Sequence, residues 1–163
     1  MKKIILSAIA VCAFGFANAQ DMKFGAKGGV DMVSSKVSYG GTDTTVSTTG
    51  FFIGGFADFE ISDGLVFEPG LNYHTASKET YKFNYLSLPL LIKYSVSDKI
   101  NLVGGPSLYY NMEKVETDKS TFNLDLGASY NITDELFVEP RYALGLTGEA
   151  KVNHFLIGIG YKF

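Results

Sequence analysis

The 163-residue chain has no tryptophan, one cysteine, two histidines and four prolines. A lone thiol, Cys12, excludes a disulfide framework. Two histidines supply too few ligands for a zinc site, which wants three or four, so no metal or cofactor is expected. The longest apolar stretch, residues 4–16, holds 13 residues, short of the roughly 18 that a membrane-spanning helix needs. After residue 20 there is no long helical period and no cluster of basic side chains. Nucleic acid is therefore excluded as a partner, because phosphate binding needs grouped Lys and Arg.

The same apolar stretch follows Lys2 and Lys3 and precedes Ala17-Asn18-Ala19, a small-residue cleavage site. Residues 1–19 read as a cleaved secretory signal and residues 20–163 as one domain. Cutting before Cys12, as in a lipoprotein, is the weaker alternative, since Val11 stands where a small residue is expected. With Lys2 and Lys3 removed, 12 basic residues face 17 acidic ones, a net charge of −5.

What the chain has in abundance is glycine (18), phenylalanine (13) and tyrosine (10). Eight runs of alternating character follow one another: 22–32, 50–61, 65–76, 83–96, 100–112, 121–132, 136–147 and 152–163. They are 11 to 14 residues long, against about 5–6 in soluble sheets, and a strand tilted across a bilayer needs about 9–11. Short connections of one chemistry, Ser62-Asp63-Gly64, Ser97-Asp98-Lys99 and Thr133-Asp134-Glu135, alternate with longer ones at 33–49, 77–82, 113–120 and 148–151. A hydroxyl residue followed by Asp can bond nearby backbone and close a tight turn. Short turns at one end and longer loops at the other imply an all-β, eight-stranded antiparallel up-and-down transmembrane β-barrel, short turns periplasmic.

Each run has a bulky apolar face and a face of Gly, Ser and Asn with scattered charge. An eight-stranded barrel is only wide enough inside to be filled by side chains, so the small polar face is assigned to the lumen and the bulky face to lipid. In "FVEPRYALGL" (137–146), Glu139 and Arg141 then point inward while Val138, Tyr142 and Leu144 meet lipid. The same parity turns Lys23, Lys27, Lys93 and Lys162 inward with Asp31, Asp58, Glu60, Glu68 and Asp125. Asp58 and Glu68 fall opposite each other and repel unless a cation intervenes; Lys93 lies at similar height. Lys27, Asp58, Glu68, Lys93, Asp125, Glu139 and Arg141 form the expected lumen network, while Lys23, Glu60 and Lys162 are expected to reach solvent at the rim. Pro69, Pro89, Pro106 and Pro140 all fall within strands, implying either missing ladder bonds or bulges.

"EPGLNY" (68–73), "EPRYAL" (139–144), "YLSLPLLIKY" (85–94) and "GGPSLYY" (104–110) resemble the PorT-like, porin-like outer-membrane β-barrel family, small eight-stranded barrels. The C-terminal "GIGYKF" is similar to the targeting signal of such barrels through Gly158, Tyr161 and Phe163, although Leu156 stands where a polar residue is usual. The resemblance implies insertion by the barrel-assembly machinery and a role as anchor, narrow pore or surface-binding protein.

Catalysis would have to rest on His74 and His154, both expected inside near the outer rim. No Ser-His-acid spacing is evident around them, and hydrogen bonding is the expected role. "GGFADF" and "GGPSLY" lie within strands rather than before a helix, so they form no phosphate loop. Asp43 reads as a turn residue rather than a calcium ligand, and Tyr94, Tyr130 and Tyr161 as an aromatic girdle. The sequence thus points to a monomeric, non-enzymatic outer-membrane barrel with lipid as its surroundings, structural or surface-interacting. Residues 33–49 would be the contact for any surface ligand. A narrow passive channel and an envelope lipid-modifying enzyme are the alternatives.

Overall fold

Alternation of period two resolves into eight strands in the computed structural model, which describes residues 22–163 except 40–41, 79–80, 113–119 and 148–150. The expected signal peptide with Cys12, and much of the outer connections, lie outside the described residues. The strands are β1 (Met22–Tyr39), β2 (Thr42–Ser62), β3 (Leu65–Lys78), β4 (Tyr81–Ser95), β5 (Ile100–Asn111), β6 (Ser120–Asn131), β7 (Leu136–Gly145) and β8 (Lys151–Lys162). Each pairs antiparallel with its sequence neighbours, and β8 returns to β1 to close the barrel. Closure leaves the barrel wall without an edge strand, and the expected fold is the observed one.

The first hairpin departs from expectation. Residues 33–49, expected as a loop, continue β1 to Tyr39 and start β2 at Thr42, with rungs such as Ser34↔Ser47 and Val37↔Thr44. Ser and Thr suggested turns, but Thr is β-branched and favours strand. Apolar alternation is not needed in a segment that stands clear of lipid. Among the described residues β2 meets β3 from Gly50↔Ala76 onward, so 42–49 runs past β3 paired with β1 alone, roughly 26 Å along the strand, and beyond Lys36↔Lys151 the β1–β2 pair stands clear of β8 as well. Asp43, expected in a turn, is within β2.

Two short turns share one design. Val96 and Ser97 N–H donate to Ile100 C=O, and Ile132 and Thr133 N–H to Leu136 C=O. The hydroxyls of Ser97 and Thr133 accept from the Ile100 and Leu136 N–H at 3.1 and 2.9 Å. The remaining turn is tighter: Ser62 pairs with Leu65, leaving Asp63 and Gly64, and Gly64 takes a φ of 73° that favours glycine.

The prolines are missing rungs rather than bulges. Around Pro69 the register runs Phe56↔Gly70 to Phe59↔Phe67 without a shift. The same continuity holds around Pro89, Pro106 and Pro140, where the interrupted ladder always faces the preceding strand. The register shift lies instead at the Glu60/Ser62 corner.

Outward positions carry Ile53, Leu71, Leu88, Leu102, Leu126 and Ile159, all exposed. Exposed Tyr94, Tyr130 and Tyr161 ring the short-turn end, and Phe51, Tyr73, Tyr110, Phe122 and Tyr142 the other. An apolar wall of this extent belongs in lipid, and aromatics at both of its margins mark the two interfaces.

Candidate functional site

Closure directs alternate residues of every strand into one narrow space. Among the described residues, sixteen buried side chains are polar or charged and ten hydrophobic, the inverse of a soluble core. The seven charges named from sequence are all buried and form one connected network in the short-turn half. Lys27 Nζ lies 2.7 Å from Glu68 Oε1 and 3.1 Å from Glu139 Oε1. Lys93 pairs with Glu68 and stands 3.7 Å from Asp58 Oδ1, so it separates the two facing carboxylates. Arg141 reaches Asp125 through Nε at 3.1 Å and Glu139 through Nη1 at 3.3 Å. The Ser107 hydroxyl also donates to Asp125.

Lys162 corrects the rim assignment. Its Nζ turns in to Asp58 Oδ2 at 3.4 Å, whereas Lys23 and Glu60 are exposed. Among the described residues, four cations and five carboxylates of those assigned inward therefore remain inside. A second correction concerns bulk, because the inner face also carries Phe52, Phe56 and Phe137. Phe56 and Phe137 meet edge-on at 5.6 Å, with Lys93 4.7 Å from the Phe137 centroid and 5.1 Å from that of Phe56. Room for the rings comes from glycine directly across the ladder. Gly25 pairs with Phe56 and Gly160 with Phe137, and a Cβ at either glycine would strike the ring. A phenylalanine and a glycine at facing inward positions was the sequence signal for this plug.

In the outer half, Asp31 lies between two buried imidazoles. His74 Nδ1 is 2.8 Å from Asp31 Oδ2, and His154 Nδ1 is 3.1 Å from the same oxygen. A carboxylate only accepts, so both rings donate through Nδ1–H, and His74 Nε2 then accepts from the Ser87 hydroxyl at 2.8 Å. Ser87 also accepts from Asn72 at 3.2 Å. Ser87, His74 and Asp31 thus stand in the order of a nucleophile, base and orienting acid, an arrangement that spacing in the sequence did not show. All three are buried, and the imidazoles are packed by Phe52 and Tyr109. Among the described residues no group of three or more His, Cys, Asp or Glu has metal-holding geometry.

At the C-terminus, Gly158 faces inward beneath Phe52, while Tyr161 and Phe163 point outward and meet edge-on at 5.7 Å.

Comparison with known proteins agrees with this geometry. The family described as "Outer membrane protein beta-barrel domain" matches residues 4–163. No curated protein sequence matches the chain. Among solved structures, Ail, the attachment invasion locus protein of Yersinia pestis, superposes with a TM-score of 0.62 at 14% identity, covering 88% of this chain and 100% of its own. Neisserial surface protein A gives 0.58 at 15% identity, with coverage of 88% and 100%. The N-terminal β-barrel domain of Pseudomonas aeruginosa OprF gives 0.50 at 13%, again with 88% and 100% covered. At such identities these likenesses show the fold alone. The lipid-facing wall, the closed eight-stranded sheet and the family match together make this chain a member of the outer-membrane β-barrel protein family, resident in the bacterial outer membrane.

Proposed function

We propose that the protein is a monomeric, non-enzymatic barrel whose lumen is closed, serving as a structural element and as a platform for surface contact through its β1–β2 ribbon. The observation that carries this reading is the filled lumen. Phe137, Arg141 and Tyr109, drawn from both halves of the barrel, are each at most 2% exposed, so a water-sized sphere hardly reaches them. Burial of Ser87, His74 and Asp31 argues against the lipid-modifying alternative, which would need those groups open to a lipid substrate. Within the family, the motifs "EPGLNY" and "EPRYAL" support a PorT-like subgroup. Removal of residues 1–19 on export and recognition of Gly158, Tyr161 and Phe163 by the barrel-assembly machinery complete the reading.

Planar-bilayer recording tests it. The refolded protein should show little steady conductance, because ions would have to cross a layer of paired charges packed with rings. A stable, ohmic pore would overturn the closed lumen and favour the passive channel.

A further inference from the structure

The β1–β2 pair keeps one register from Met22↔Phe59 to Tyr39↔Thr42. Only part of that length belongs to the barrel wall. Continued from Gly50↔Ala76, the β2–β3 ladder would run out at Thr48, because β3 reaches Lys78 and there pairs with Tyr81 of β4. Among the described residues, 42–47 of β2 therefore pair with β1 alone. Alternate residues of an antiparallel strand turn their N–H and C=O to the same side. This stretch thus offers a row of unpaired backbone groups on the side away from β1.

Free edges are ordinarily blunted by lysine, proline or a bulge. Residues 42–49, Thr-Asp-Thr-Thr-Val-Ser-Thr-Thr, contain neither lysine nor proline, and their pairing with β1 has no bulge. The β-branched residues favour an extended strand. A two-stranded ribbon is marginally stable by itself in water, and further strands support it. We propose that this edge pairs with the same edge of a second copy projecting from a facing membrane, so that two ribbons join into one four-stranded sheet. Orientation selects the facing membrane. Barrels in one membrane project their ribbons the same way, whereas barrels in facing membranes bring them together antiparallel, as a two-fold axis requires. Opposite residues share a sheet face only when the axis passes through a residue pair. Centred on Thr45, it sets Thr44 against Val46, Asp43 against Ser47 and Thr42 against Thr48. Threonine against threonine is a favourable cross-strand pair, and no like charges meet. The inference rests on the surface-contact reading of the ribbon and names its partner; the barrel stays monomeric within its own membrane.

The test uses two populations of phosphatidylcholine vesicles, one with a fluorescence-donor lipid and one with an acceptor, each carrying the refolded protein. Energy transfer between them reads clustering, and heat-modifiable gel migration reads folding. Wild-type vesicles should cluster and protein-free vesicles should not. Of the adjacent variants T45P and V46P, one removes an N–H that points to the free edge. That one should cluster about tenfold less, since a two-fold pair loses two bonds. T45K on both sides, or T45E on both sides, should cluster roughly threefold less, from one like-charged rung. Mixing T45K vesicles with T45E vesicles should restore clustering, whereas T75K with T75E, an exposed position outside the ribbon, should add nothing to wild type. Unchanged clustering by both folded proline variants would overturn the proposal. So would a T45K and T45E mixture no better than either alone. Wild-type protein that binds cells or matrix without clustering vesicles would overturn this partner and leave the contact reading in place.

Discussion

Asp125 depends on Arg141 more than Glu139 does. Glu139 also faces Lys27 at 3.1 Å and Lys93 at 3.9 Å, whereas the ion pair of Asp125 is with Arg141, supported by the Ser107 hydroxyl. Arg141→Ala should therefore destabilise the barrel by about 3–5 kcal/mol, the cost of a buried charge left alone. Asp125→Asn with Arg141→Met should be milder, since no lone charge survives at that pair. Glu139→Gln with Arg141→Met should stay close to the single variant, because Asp125 is still stranded. Urea midpoints followed by heat-modifiable migration check the ranking, and equal midpoints for all three would refute the pairing. Gly160→Ala drives a Cβ into the Phe137 ring and should cost about 1–3 kcal/mol by overpacking; Phe137→Leu in that background should recover part of the lost midpoint. The seven network charges were legible because parity counted from the turns fixes which face a residue takes. The Ser87–His74–Asp31 line was not, because its members come from β4, β3 and β1. Their meeting depends on the stagger that closure imposes.

At the scale of elements, the sequence told strand from turn wherever lipid demanded alternation. β3 to β8 end within two residues of their expected limits, since a slip of one residue would turn every polar side chain into lipid. The signal failed above the membrane, where the Ser- and Thr-rich ribbon obeys no such rule and reads as loop. The prolines were legible only as a problem. Their answer, a lost rung toward the preceding strand with the register kept, needs the neighbours on both sides. Because β2 before Gly50 pairs with β1 and not with β3 among the described residues, and β1 pairs with β8 only as far as Lys36 there, the ribbon tip should be dispensable to the barrel. Replacing residues 37–44 by Asn-Gly, a two-residue hairpin turn, keeps the Lys36↔Thr45 rung and β1–β8 pairing. Urea stability should be unchanged and binding to cells or matrix should be lost. A drop in folded yield would make the tip structural.

For the whole molecule, inside and outside are exchanged relative to a soluble protein, and the solvent for which the surface is built decides what the C-terminus can do. Phe163 extends the closing strand: its N–H donates to Phe24 C=O at 2.8 Å, sealing β8 against β1. Its ring, however, is 78% exposed and touches little besides Tyr161. The backbone bond survives substitution while the ring does not, which separates assembly from stability. Phe163→Ala should leave the urea midpoint of barrel refolded in detergent within about 0.5 kcal/mol of wild type, as for surface changes generally. In cells the same variant should lower the amount of heat-modifiable barrel in the outer-membrane fraction, because the ring would be read by the insertion machinery rather than by the fold. Deleting Phe163 altogether should add the loss of the sealing bond, worth about 0.5–1.5 kcal/mol, and lower the midpoint as well. Equal cellular yields of wild type and Phe163→Ala, with normal refolding of both, would remove the assembly role from this ring.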